Sequence, residues 1–195
     1  DPCAQLASEG LRCWRHRRAS LNLLRQLDRP VLLTLRPQDG SAGEGGVMVP
    51  LRQLDGDKAT LAGANASTPL LRRLEGEKAT LAGPNGALLQ VAVAELAPLW
   101  HGEVATLWKA PANLPTGSNV AATVAGAAWL DRQLTLAGLA RTDQRGISPA
   151  QQRRARVHQF QLGQGLTPDG QAGPLTLMML NRAAGVQEPS LRAGG

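Results

Sequence analysis

Residues 148–185 alternate helix-starting and helix-stopping residues so closely that only two short helices joined by a tight turn fit them. Ser148 offers an N-cap hydroxyl, Pro149 sits in a first turn where a missing N–H costs nothing, and Gln151 can close a capping box. The helix predicted from there turns Ala155, Val157, Phe160 and Leu162 inward and is stopped by Gly163 and Gly165. Asp169-Gly170 predicts a turn whose glycine takes positive φ. Pro174 opens the next helix, in which Leu177, Leu180 and Ala184 recur at helical spacing and Gly185 supplies the C-terminal cap. A third helix is predicted over residues 120–139, carrying Val124, Trp129, Leu130, Leu134 and Leu136.

Before it, the run from Lys109 to Asn119 combines two prolines with glycine and small polar residues, which neither a helix nor a central strand tolerates. It divides the chain into residues 1–110, a linker at 111–119 and residues 120–195. The first part reads as a helix over Ser20–Leu27, a strand over Val31–Leu35 and a further apolar run at Val47–Val49. An internal repeat follows: Leu51–Asn65 recurs twenty residues later as Leu71–Asn85, each copy reading strand, acidic-glycine turn, strand. Two copies are too few for a solenoid, so they predict tandem hairpins in one sheet. A strand at Gln90–Val93, a short helix at Ala94–Trp100 and a strand at Gly102–Trp108 complete this part, with Trp100 and Trp108 in its core. The fold class is α+β.

At 195 residues, 43% of them apolar, the chain can bury two modest cores. It contains no run of eighteen apolar residues, so no membrane span is expected in it. Asp1-Pro2-Cys3 lacks the basic and apolar regions of a signal peptide, and a fragment or mature region is expected. The net charge of +6 rests on 18 arginines against 3 lysines, clustered at Arg12, Arg15, Arg17 and Arg18 and at Arg153, Arg154 and Arg156. Such a surface favours anionic polymers. One Phe and no Tyr leave few platforms for base stacking, which argues against nucleic acid. No H-E-x-x-H or H-x-x-x-D spacing is present for zinc, and no G-x-x-x-x-G-K-[ST] loop for nucleotide, so no metal or cofactor is expected. Asp55 with Asp57, and Glu75 with Glu77, flank turns and read as solvated acids.

The spacing from Val157 through Phe160-Gln161, Gly165-Leu166, Asp169-Gly170, Gly173 and Thr176 to Leu180 resembles the small three-helix peptidoglycan-binding module of bacterial envelope proteins. The chain as a whole resembles the periplasmic region of general secretion pathway protein A, the ExeA type. The residues that carry this are Cys3 and Cys13 around Glu9-Gly10-Leu11, Ala19-Ser20-Leu21, Arg29-Pro30-Val31-Leu32, Leu99-Trp100 with Gly102-Glu103, and Leu107-Trp108 with Pro111. The resemblance implies a degenerate papain-like domain, related to the C39 cysteine peptidases, ahead of the peptidoglycan-binding module. The doubled hairpin departs from it, since one copy satisfies the family pattern.

That relationship raises the question of catalysis. A cysteine peptidase needs a thiolate, a histidine in reach, a residue orienting that histidine and an oxyanion donor. Cys13 stands near the nucleophile's place. The resemblance puts the histidine at the start of the Val47–Val49 strand, where this chain has Gly45 and Gly46; His16, His101 and His158 stand elsewhere. The expectation is a non-catalytic protein in which Cys3 and Cys13 close a small disulfide loop worth about 2–3 kcal/mol. The alternative is a wall-associated cysteine peptidase or amidase that uses Cys13. By resemblance the protein is periplasmic, binds peptidoglycan and assists assembly or insertion of the outer-membrane secretin of type II secretion, with an inner-membrane protein as a further partner. Gln161, Asp169, Gln171, Thr176, Asn181 and Arg182 are the polar residues expected to contact the wall, Arg182 by pairing with stem-peptide carboxylates.

Overall fold

Period-two alternation builds the first half of the chain. In Val31–Leu35 every second residue, Val31, Leu33 and Leu35, is fully buried, as expected of a strand with one face on a core. The computed structural model describes residues 11–35, 51–55, 58–61, 70–82, 88–111, 119–141 and 145–188. It is a mixed α+β protein that divides into two units, one built on Cys13–Leu107 and the other on Trp108–Glu188. The division falls between Leu107 and Trp108, and residues 112–118 of the anticipated linker lie outside the described residues.

The elements up to the division are β1 (Leu11–His16), α1 (Leu21–Leu27), β2 (Val31–Leu35), β3 (Leu51–Asp55), β4 (Lys58–Leu61), β5 (Leu70–Glu75), β6 (Lys78–Ala82), β7 (Leu88–Ala92), α2 (Val93–Leu96) and β8 (Trp100–Lys109), the first two residues of β1 and the last two of β8 being grouped with the second unit. Six strands form one sheet in the order β1-β8-β2-β5-β6-β7. The β2–β5, β2–β8, β5–β6 and β6–β7 ladders are antiparallel. Its core gathers Leu24, Val31, Leu33, Leu35, Leu71, Ala79, Leu81, Leu89, Val91, Leu96, Trp100 and Val104, each large side chain worth roughly 1.5–3 kcal/mol of transfer free energy. Ser20 caps α1 by accepting the Leu23 N–H at 3.1 Å. Gly102 has φ +89°, and an added Cβ there would meet the Ala19 carbonyl oxygen at 2.9 Å. Its own carbonyl accepts the Ala19 N–H at 2.8 Å, so only glycine allows so close an approach. Buried Thr106 donates its hydroxyl to the Pro30 carbonyl at 2.8 Å. The short helix is α2, Val93–Leu96, ahead of Pro98, and Trp100 already belongs to β8. The Val47–Val49 run lies outside the described residues.

The two copies of the repeat do not share a sheet. β3–β4 is a separate two-stranded sheet, and only the second copy, β5–β6, joins the larger one. The two hairpins have the same register, offset by twenty: Gln53↔Thr60, Leu54↔Ala59 and Asp55↔Lys58 in one, Arg73↔Thr80, Leu74↔Ala79 and Glu75↔Lys78 in the other. The irregularity falls at the same step in both, after Leu51 and after Leu71. The larger sheet has one hairpin-sized place between β2 and β7. Only five residues separate β6 from β7 against twenty-six between β4 and β7, so loop-closure entropy favours the second copy.

The second unit carries a 3₁₀ turn at Val120–Ala122, α3 (Val124–Leu136), α4 (Pro149–Gly163) and α5 (Pro174–Ala183). The anticipated 120–139 helix is thus split at Thr123, whose hydroxyl caps α3 by accepting the Gly126 N–H at 3.1 Å. The capping box on α4 is complete: Ser148 Oγ accepts the Gln151 N–H at 3.3 Å and Gln151 Oε1 accepts the Ser148 N–H at 3.0 Å. Gly185 takes φ +73° just past α5. Leu130, Leu134, Val157, Phe160 and Leu177 through Leu180 are buried. Other anticipated core positions are not. Val124 and Leu136 are exposed on α3, as are Ala155 and Leu162 on α4. The inward stripe of α4 is Arg156, Val157, Phe160 and Gln161, since 100° per residue puts Leu162 about 200° from Phe160. Two polar residues take places that an apolar-only reading assigns to Ala155 and Leu162.

Candidate functional site

The buried polar residues of α4 organise the second unit. Asp131 on α3 receives two guanidinium groups: Arg153 Nη2 at 2.7 Å on Oδ2 and Arg156 Nη1 at 2.9 Å on Oδ1. Arg156 also donates Nε to the Leu139 carbonyl at 2.9 Å and Nη2 to Thr135 Oγ1 at 2.9 Å. Burial pulls the Arg156 pKa below its ordinary value, partly offset by Asp131, while Arg141 and Arg153 push it down further. An arginine so placed stays protonated near neutrality. One carboxylate between two arginines leaves a net positive centre. The run Arg153, Arg154, Arg156 is therefore not the uniform surface cluster its spacing suggests: Arg156 is buried, Arg153 is held by Asp131, and Arg154 alone of the three is exposed.

One turn further along α4, Gln161 ties down the turn between α4 and α5. Its Nε2 donates to Asp169 Oδ1 at 2.8 Å, to the Gln171 carbonyl at 3.0 Å and to Thr176 Oγ1 at 3.2 Å. Its Oε1 accepts the Gly170 N–H at 2.8 Å. Asp169 Oδ1 also accepts the Gln171 N–H at 2.8 Å. The Gln171 N–H first, and the Gln161 amide second, hold the Asp169 carboxyl below its ordinary 3.8.

These contacts frame a groove of about 370 Å³ within the second unit. Leu130, Val157 and Ala172, all buried, form its apolar floor, and Arg153, Arg154, Gln171 and Asn119 supply its polar lining. The Arg154 side chain lies across Gly170, where an added Cβ would meet its Cγ at 2.7 Å. Chemically the groove offers guanidinium and amide donors beside an apolar floor, which suits a ligand bearing carboxylates and short aliphatic groups.

Of the six polar residues anticipated at a binding site, Gln171 lines this groove. Gln161, Thr176 and Asn181 are 2%, 4% and 2% exposed. The first two join in the turn network, and Asn181 Nδ2 donates to the Lys109 carbonyl at 2.8 Å. Their polar atoms face inward, so direct contact with a ligand would require that packing to open. Asp169 and Arg182 are exposed, Asp169 in the turn and Arg182 on the last turn of α5. Arg153, Arg154 and Asn119 line the groove without having been singled out as binding residues. The arginines were visible in the sequence only as charge, because nothing in it says which of them Asp131 takes.

Cys13 carries no free thiol, and Cys3 lies outside the described residues, as do Gly45 and Gly46. The His16 ring stacks on Trp14, centroids 5.2 Å apart and planes 7° from parallel. His101 and His158 are exposed. Among the described residues no group of three or more His, Cys, Asp or Glu could hold a metal ion, and no helix is long and apolar enough to cross a membrane.

No family model matches the chain. It is 32% identical over 191 residues to general secretion pathway protein A of Aeromonas hydrophila, a match that takes in 97% of this chain and 30% of that protein. The chain thus spans under a third of the curated relative's length. Among solved structures it is similar to a periplasmic domain of the EpsAB fusion protein of the Vibrio vulnificus type II secretion system, at 24% identity and a TM-score of 0.43, over 92% of this chain and 67% of that one.

Proposed function

We propose, from its similarity along nearly its whole length to general secretion pathway protein A, that the chain is a non-catalytic periplasmic region that holds peptidoglycan and assists assembly or insertion of the type II secretin. In this reading the first unit is a degenerate C39-like domain and the second is the three-helix wall-binding module. The observation that carries wall binding is the groove: an apolar floor of Leu130 and Val157 beside the Arg153 and Arg154 guanidiniums, matched to the methyl groups and carboxylates of murein stem peptides. Charge supports it, because Asp131 leaves a net positive charge where it meets Arg153 and Arg156. Binding would rest on Arg154 and Gln171, with Arg182 a further contact on α5 and Gln161, Asp169, Thr176 and Asn181 shaping the surface.

The non-catalytic reading draws on Cys13 having no free thiol and on the His16 ring being engaged by Trp14. A Cys3–Cys13 disulfide belongs to the same proposal, and two free thiols in the unreduced, denatured protein would refute it. Wall binding is tested by co-sedimentation with purified sacculi. Arg154→Ala with Gln171→Ala should lower the bound fraction at least about tenfold, since each lost charge-assisted bond is worth roughly 1.5–3 kcal/mol; unchanged sedimentation of this variant, still folded, would overturn the proposal.

A further inference from the structure

The twenty-residue duplication makes the place between β2 and β7 chemically degenerate. Four residues of the second hairpin are buried in the larger sheet: Leu71, Ala79, Leu81 and Ala82. Their counterparts in the first hairpin are Leu51, Ala59, Leu61 and Ala62, identical at all four positions. The strand register and its irregularity are identical as well.

Two contacts from outside the sheet could be met by either copy. Arg25 donates to the Gly76 carbonyl at 2.8 Å, and the Val93 N–H donates to the Glu77 carbonyl at 2.8 Å. Both acceptors are main-chain oxygens in the Glu75-Gly76-Glu77-Lys78 turn, and Asp55-Gly56-Asp57-Lys58 offers the same oxygens in the first copy. β4 already lies near β7, the strand that β6 pairs with. The differences that favour the second copy lie outside this matching set. It has the shorter connection to β7, and it has Leu70 opposite Leu32 where the first copy has Pro50, which has no N–H for the ladder.

We infer that the first hairpin is a working substitute for the second: the chain has two native strand registers twenty residues apart, the observed one with β5–β6 between β2 and β7 and an alternative with β3–β4 in that place. The alternative becomes the populated state when the second copy can no longer be buried.

The test disables each copy in turn. Ala79→Asp with Leu81→Asp places two carboxylates in the core of the observed sheet, which a sheet with no substitute cannot tolerate. The substitution should leave the first unit folded at reduced Tm, and amide hydrogen-exchange protection should move from residues 71–82 to residues 51–62. Ala59→Asp with Leu61→Asp should change Tm little. All four substitutions together should abolish the protection of both segments, 51–62 and 71–82, and leave only the melt of the helical unit. The inference is overturned if Ala79→Asp with Leu81→Asp unfolds the first unit as completely as the fourfold variant, or if it remains folded with protection still at residues 71–82.

Discussion

At the scale of single residues, the polar side chains of α4 carry more of the second unit than its apolar ones suggest. Gln161 spends both ends of its amide within the unit, on four partners. Arg156 joins α3 to the segment that follows it through Asp131, Thr135 and Leu139. Both were legible as residues of a helix but not as its buried face, because apolar periodicity carries no signal for a buried amide or guanidinium whose partners lie 8 to 25 residues away. Asp169 gives a pH-dependent prediction. Its folded-state pKa lies below the ordinary 3.8, so its stabilisation is fully present above that value and is lost as pH falls through the lowered one. Asp169→Asn should melt below the wild type near neutrality, and the gap should close as pH drops below about 3.8. Melting curves stepped from about pH 6 to about pH 2 check this; a gap that stays constant with pH would exclude it. The carboxyl is exposed, and solvent screening keeps the effect small.

At the scale of elements, caps and stops were the most legible part of the sequence. The Ser148 box and Gly185 occupy the places their chemistry predicts, because these interactions close within a few residues, and Ser20, read as the first residue of a helix, is its cap. The faces of α3 and α4 were less legible, as Val124 and Leu162 show by being exposed. One element junction yields a prediction with an unusual sign. Gly126 lies in the first turn of α3, where helix propensity alone favours alanine by about 1 kcal/mol. An added methyl there would land on the Val120 carbonyl oxygen, forcing away the 3₁₀ turn that brings Asn119 and Ala121 to the groove. Gly126→Ala should therefore destabilise the protein by about 1–3 kcal/mol. Denaturant titration measures it, and a stabilised variant would mean that the turn yields freely.

At the scale of the whole chain, the division between its two units matters for how the helical one can be isolated. Its contacts reach back to Lys109, whose carbonyl accepts from buried Asn181 and whose N–H donates to Glu188 at 2.8 Å. A fragment over residues 108–188 should melt cooperatively. One starting at 111, after the proline-rich stretch has begun, should be less stable by about 1–3 kcal/mol because the Asn181 amide loses its acceptor. Equal melting of the two would show that Lys109 contributes nothing. The sequence by itself determined the α+β class, the strand–turn–strand order of each hairpin, the helix start at Ser148 and the likeness to general secretion pathway protein A, since each rests on local spacing or on residue identity along the chain. Only the tertiary structure decided which of two near-identical hairpins enters the larger sheet, which arginine is buried against Asp131 and which polar residues line the groove. Those outcomes are competitions for a single place or a single partner, settled by loop length and burial among segments that local sequence cannot compare.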